Sequence, residues 1–153
     1  MLTKSAKSVH IRHTHEIIKC LPRLLIMTSV VIVEDDHDGA EVLEEFLKLK
    51  GINVLAKGYN GLEGVQLYQK HRPDCILLDM LMPLYDGFYG LEKIQEFDPK
   101  SKVIILSASV NEEEMDKLRA LGVTAIFQKP YEIDALVSKL KSINKKEVSV
   151  KTK

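Results

Sequence analysis

From Ser29 onward, short apolar runs alternate with stretches of helical periodicity. The runs are VVIV at 30–33, VLA at 54–56, CILL at 75–78, VIIL at 103–106 and AIF at 125–127. Each is too short for a helix and is rich in branched side chains, so each predicts a buried strand. Between them, 39–50 predicts a helix in which Val42, Leu43, Phe46, Leu47 and Leu49 share one broad apolar face, with Gly51 as its stop. Residues 61–71 repeat the pattern with Leu62, Val65, Leu67 and Tyr68 ahead of Pro73. Residues 88–97 do so with Leu91 and Ile94. Asn111 is placed to cap a fourth helix whose first turn carries Glu112, Glu113 and Glu114 at its positive end, with Met115, Leu118 and Leu121 as the apolar face. The fifth, at 132–143, buries Ile133, Leu136, Val137 and Leu140.

Five strand–helix units with continuously apolar strands predict an α/β fold: a doubly wound parallel sheet with helices on both faces. The flavodoxin-like strand order 2-1-3-4-5 fits the count. One domain is expected over 28–143. It is preceded by a basic extension at 1–27 and followed by a Lys-rich tail at 144–153. The extension carries Lys4, Lys7, Arg12, Lys19 and Arg23 against Glu16 alone. Since Met27 directly precedes the first strand, the extension is expected to be a mis-assigned start or a loosely held helix. Its HIRHTHE stretch at 10–16 holds three histidines, read as solvent-exposed rather than as a metal site. Net charge is zero, but the end of the chain carries Lys141, Lys145, Lys146, Lys151 and Lys153 against Glu147 alone, so with both ends net basic the central domain is acidic and direct nucleic-acid binding is not expected. No apolar run approaches the roughly 18 residues of a membrane helix. Cys20 and Cys75 match no metal or redox spacing; Cys75 reads as a buried hydrophobe, and a cytoplasmic protein is expected.

The candidate chemistry lies where strands end, since parallel sheets bind ligands at their carboxyl edge. The first strand runs into Glu34 and Asp35, the third into Asp79, the fourth into Ser107 and the fifth into Lys129 before Pro130. Clustered carboxylates repel, by roughly 4 kcal/mol for a pair at about 4 Å with an effective dielectric near 20. They therefore stand in water or surround a cation. In the order 2-1-3-4-5 the first and third strands are neighbours, so Glu34, Asp35 and Asp79 are expected in one pocket. Oxygen-only ligands with open positions suit Mg²⁺, with Lys129 as a second positive charge and Ser107 as a hydroxyl.

VIVEDD, LLDMLMPLYDG, IILSAS and FQKP stand in this order, each at its own strand end. Over about 28–143 the chain resembles the response-regulator receiver domain of two-component signalling, of the single-domain, chemotaxis-like kind. The resemblance implies that a histidine kinase or phosphotransfer protein phosphorylates Asp79 in a Mg²⁺-dependent reaction. It implies Asp35 as a direct metal ligand, Glu34 as one acting through water and the Leu81 carbonyl as a further ligand. Ser107 would be the switch hydroxyl and Lys129 the phosphate-binding lysine, before a cis peptide to Pro130. Pro83, Asp86 and Gly87 match the loop after the acceptor. The chain is then a signalling protein, not an enzyme, and its output is contact with an unidentified downstream protein, through the fourth and fifth helices. The alternative is a receiver kept as an unphosphorylated interaction module. A haloacid-dehalogenase phosphatase is disfavoured, because it needs a second Asp where Leu81 stands. A flavin module is disfavoured because EDDHDG would repel a phosphate. Two departures from the family stand out. Ile126 replaces the aromatic residue three positions before the lysine, and alternation puts Phe127 on the other sheet face. Leu81, bulky and apolar two residues after Asp79, is expected to slow attack by water.

Overall fold

A computed structural model describes residues 27–145; most of the basic extension, with its histidines and Cys20, and most of the Lys-rich tail lie outside the described residues. The chain alternates β1 (Ser29–Val33), α1 (His37–Leu49), β2 (Asn53–Gly58), α2 (Gly61–His71), β3 (Cys75–Asp79), α3 (Gly87–Phe97), β4 (Val103–Ser107), α4 (Glu112–Ala120), β5 (Ala125–Gln128) and α5 (Ile133–Lys145). The strands form one parallel sheet in the order β2-β1-β3-β4-β5. This is the doubly wound arrangement expected from the alternation.

The sheet separates two apolar layers because successive strand side chains point to opposite faces. Val31, Val33, Ile76, Leu78, Val103 and Ile105 pack against α2, α3 and α4 through Val65, Tyr68, Leu91, Ile94 and Leu118. Val30, Ile32, Leu77, Ile104 and Leu106 pack against α1 and α5 through Ala40, Leu47, Leu136, Val137 and Leu140. Every residue of β3 is buried, as a central strand covered on both faces requires. Cys75 lies in this core, and burial pushes its thiol pKa up, leaving it an inert hydrophobe. Ile126 joins the layer of α2–α4 and Phe127 the layer of α1 and α5, where its ring meets Tyr131 edge-on, so the two face opposite sides as expected.

Helix ends follow the local chemistry. Asn111 and Glu114 form a reciprocal capping box at α4, and the Asn60 and Asp86 side chains cap α2 and α3. Gly51 at φ +80° ends α1 in the left-handed region. The broad face expected for α1 is corrected by the packing. Ala40 and Leu47 are buried and Leu43 is half-buried, whereas Val42, Phe46 and Leu49 are 54, 48 and 82% exposed. The helix is apolar on two sides, and only one of them meets the sheet.

Candidate phosphoacceptor and metal site

In-register parallel pairing brings the strand ends to one edge. Val33 pairs with both Gly58 and Leu78, Asp79 with Leu106, and Ser107 with Gln128. Two backbone bonds extend this alignment past the strands. The Glu34 N–H donates to the Gly58 carbonyl at 3.0 Å, and the Lys129 N–H to the Ser107 carbonyl at 2.7 Å. Residues far apart in the chain are thus fixed side by side.

Glu34, Asp35 and Asp79 each place a carboxylate oxygen within 4.8 Å of the others. Asp79 is buried, and Asp35 faces solvent. Asp79 Oδ1 accepts from the Leu81 N–H at 3.2 Å, and Oδ2 receives Lys129 Nζ at 3.2 Å. The same ammonium lies closer to Glu34 Oε2, at 2.5 Å. The sequence placed Lys129 at the flank but gave no sign of which acid would hold it.

Burial, opposed in part by the Lys129 hydrogen bond and reinforced by the charge of Asp79, raises the Glu34 pKa to about 7. Burial alone would lower the Lys129 pKa, but the Glu34 hydrogen bond and the Asp79 charge outweigh it, and the net shift is upward. A divalent ion would reverse the logic at Glu34, because its charge favours the carboxylate. An oxygen-only donor set, two members of it shielded and one open to water, suits a hard cation that keeps part of its hydration shell.

Ser107 is fully buried, and its hydroxyl donates to the Ser109 carbonyl at 3.0 Å. Leu81, two residues after Asp79, is 63% exposed. Lys129–Pro130 is a cis peptide. The loop after Asp79 is shaped by features that sequence patterns did not reveal. The Tyr85 N–H donates to the Pro83 carbonyl at 2.9 Å, closing a γ-turn around Leu84 at φ +67°, an unusual conformation for a branched side chain. Gly87 sits where a Cβ would lie 2.3 Å from the Asp79 carbonyl oxygen and 2.7 Å from Met80 Cα. Past the ends of β1 and β2, His37 stacks on Tyr59 with centroids 3.7 Å apart. Between the loops after β3 and β4 lies a cavity of about 440 Å³ walled by Met80, Met82, Phe88, Val110 and Leu118.

The profile of the response regulator receiver domain matches residues 30–141. The chain belongs to the response-regulator receiver family. Receiver domains are signalling modules that bind Mg²⁺ at an acidic pocket, and chemotaxis-type receivers interact with histidine kinases and downstream targets. The chain is 32% identical over 112 residues to the chemotaxis protein CheY of Halobacterium salinarum, covering 71% of this chain and 92% of that one. It is 32% identical over 126 residues to a probable C4-dicarboxylate response regulator, DctR, of Priestia megaterium, covering 82% of this chain. There the match spans only 55% of the relative's length. Among solved structures, the CheX–CheY–BeF3–Mg²⁺ complex of Borrelia burgdorferi superposes with a TM-score of 0.71 at 28% identity, covering 76% of this chain and 88% of that chain. Among the described residues, no helix of this receiver is long and apolar enough to cross a membrane.

Proposed function

We propose that the receiver takes a phosphoryl group on Asp79 from a phosphohistidine of a histidine kinase or phosphotransfer protein, with Mg²⁺ held by Glu34, Asp35, Asp79 and the Leu81 carbonyl. The observation that carries this reading is the convergence of three carboxylates and one lysine at a single sheet edge. The Mg²⁺-containing complex of the Borrelia CheY, a structural neighbour, supports the choice of ion. When bound, the ion supplies positive charge that offsets the transferring oxygens. Asp79 acts as nucleophile: a carboxylate oxygen bonds to phosphorus as the phosphorus–nitrogen bond of the donor breaks, and the leaving imidazole takes up a proton. Lys129 holds an equatorial phosphoryl oxygen, which requires its ammonium to exchange Glu34 for the new group.

The acyl phosphate then recruits Ser107. Its hydroxyl leaves the Ser109 carbonyl to donate to a phosphoryl oxygen, and the loop after β4 follows into the cavity beside Met80 and Val110. That displacement alters the surface offered to a downstream protein partner. Domain limits at 28–143, with the extension and tail outside the phosphoacceptor unit, belong to the same proposal. The test is treatment with a small phosphodonor and Mg²⁺ followed by intact mass, on wild type and Asp79→Ala. A phosphoryl adduct on wild type alone is expected. An adduct of equal yield on both proteins, or on neither, would overturn the assignment.

A further inference from the structure

The three carboxylates of the pocket are not held alike. Glu34 is gripped by Lys129, and Asp79 by Lys129 and the Leu81 N–H. Asp35 is exposed, and its carboxylate has no hydrogen-bond or ion-pair partner among the described residues. Its place is therefore set by the turn between β1 and α1 that carries it. The start of that helix is also weakly secured. Asn60, Asp86 and Asn111 cap α2, α3 and α4 with their side chains, whereas Asp36 at the head of α1 makes no such bond. A first turn without a side-chain cap leaves its backbone donors to water and is less stable.

The contact that ties this turn down is a pair of rings. His37, the first residue of α1, lies flat on Tyr59, with centroids 3.7 Å apart and planes 12° from parallel. Tyr59 is a fixed partner: its N–H donates to Glu63 Oε2 at 2.8 Å, and its side chain packs against the apolar layer of α1 and α5. It also follows Gly58, the last residue of β2, whose carbonyl accepts the Glu34 N–H at 3.0 Å. Asp35 is thus bracketed. The residue before it is tied to the end of β2 by a backbone bond, and the residue two after it is tied to the same strand end by the stack. His37 itself stands outside the group of ligand atoms that lie within 4.8 Å of one another. We propose that the His37–Tyr59 stack positions Asp35, holding its carboxylate within reach of the ion that Glu34 and Asp79 would share. That role, which rests on the proposed Mg²⁺ site, needs two flat rings and not the imidazole nitrogens.

The test is Mg²⁺ affinity in the full-length chain, read from the rise of the thermal midpoint with Mg²⁺ at pH 8 and constant ionic strength. His37→Ala and Tyr59→Ala should each weaken binding about two- to tenfold, the worth of one aromatic pair. The double variant should be no weaker than either single one, because both remove the same contact. His37→Phe and Tyr59→Phe keep the stack and should stay within about twofold of wild type. Phosphoryl uptake at saturating Mg²⁺ should stay within about twofold of wild type in all of them, since the ion itself then fixes Asp35. Asn111→Ala, destabilised at the cap of α4, should keep wild-type affinity, which separates lost positioning from lost stability. His37 is exposed, so His37→Ala carries the test should Tyr59→Ala fail to fold. Wild-type affinity in His37→Ala, losses that multiply in the double variant, an equal loss in the Phe variants or in Asn111→Ala, or slow uptake that saturating Mg²⁺ does not restore would each overturn the proposal. A wild type that binds no Mg²⁺ would instead sink the metal site on which it rests.

Discussion

Gly87 offers a sharp test of how Asp79, the proposed phosphoacceptor, is positioned. It opens α3 with an ordinary negative φ, so its value is space rather than backbone freedom. A Cβ there would lie 2.3 Å from the Asp79 carbonyl oxygen, about 1 Å short of ordinary contact. The atoms it meets include the backbone of Asp79 and Met80, which cannot rotate away as a side-chain tip can. In Gly87→Ala, α3 must therefore move off β3, and the bond from the Gly87 N–H to the Met80 carbonyl at 3.1 Å must lengthen. Overpacking of this kind costs about 1–3 kcal/mol, and the better helix propensity of Ala offsets at most about 1 kcal/mol. With an m-value of roughly 1–3 kcal/mol/M, the urea midpoint should fall by about 0.5–1 M. A shift of about 1 Å at the proposed nucleophile, Asp79, should slow phosphoryl uptake by about 10²-fold. Gly90→Ala in the same helix is the control: its nearest contact would be 3.3 Å, to Gly61 Cα, which a few tenths of an ångström relieves. Two assays suffice, urea unfolding and the initial rate of adduct formation from a small phosphodonor with Mg²⁺. If Gly87→Ala matches Gly90→Ala in both, the space argument fails.

Glu34 sets the pH dependence. Its pKa rises from 4.5 to about 7 on folding, so within that window the folded chain holds a proton that the unfolded chain has lost. The stability from that proton is complete below about pH 4.5 and is lost as pH rises toward about 7, on the order of 3 kcal/mol in all. Without divalent ion, the urea midpoint should thus be higher at pH 6 than at pH 8, a difference Glu34→Gln should abolish; equal midpoints in wild type would refute it. Stabilisation by Mg²⁺ should grow over the same interval, because the ion needs the ionised carboxylate, and thermal shifts at a series of pH values would read this. Leu81→Asn should shorten the lifetime of the proposed acyl phosphate, since Leu81, two residues after Asp79, is an exposed apolar group that cannot orient water; an unchanged decay by intact mass would count against that role. Asn111→Ala, which removes the capping box of α4, should cost about 1 kcal/mol in urea unfolding and leave phosphoryl uptake unchanged.

Much of the fold was legible because it rests on period and punctuation. The five apolar runs became the five strands, and Asn111 and Gly51 took up the cap and stop that their chemistry favours. The acidic pocket was legible for a related reason: once the strand order is fixed, a residue just past a strand end can only lie at the sheet edge. What escaped were features that depend on which side of an element meets its neighbour. Apolar spacing counts Val42, Phe46 and Leu49 together with Leu43 and Leu47, yet only packing decides which group faces the sheet. The γ-turn at Leu84 was invisible because leucine gives no signal for positive φ. Gly87 stands out in sequence only as a match to the loop after the third strand, whereas in the fold it lets two backbones touch.

The Lys129 contact joins the electrostatics to the proposed chemistry. Three carboxylates and one ammonium carry a formal charge of about −2 when all are ionised, which repels a phosphoryl donor. A protonated Glu34 would reduce that repulsion but weaken its hold on Lys129, and a divalent ion neutralises the set outright. A bound ion would relieve Glu34 of the lysine, and the ammonium, already 3.2 Å from Asp79 Oδ2, would need to swing only from Glu34 at 2.5 Å toward a group carried by Asp79. Metal binding would then release Lys129. On this argument, Glu34→Gln loosens Lys129 before any ion arrives, and it should weaken Mg²⁺ affinity more than it slows uptake once the ion is saturating.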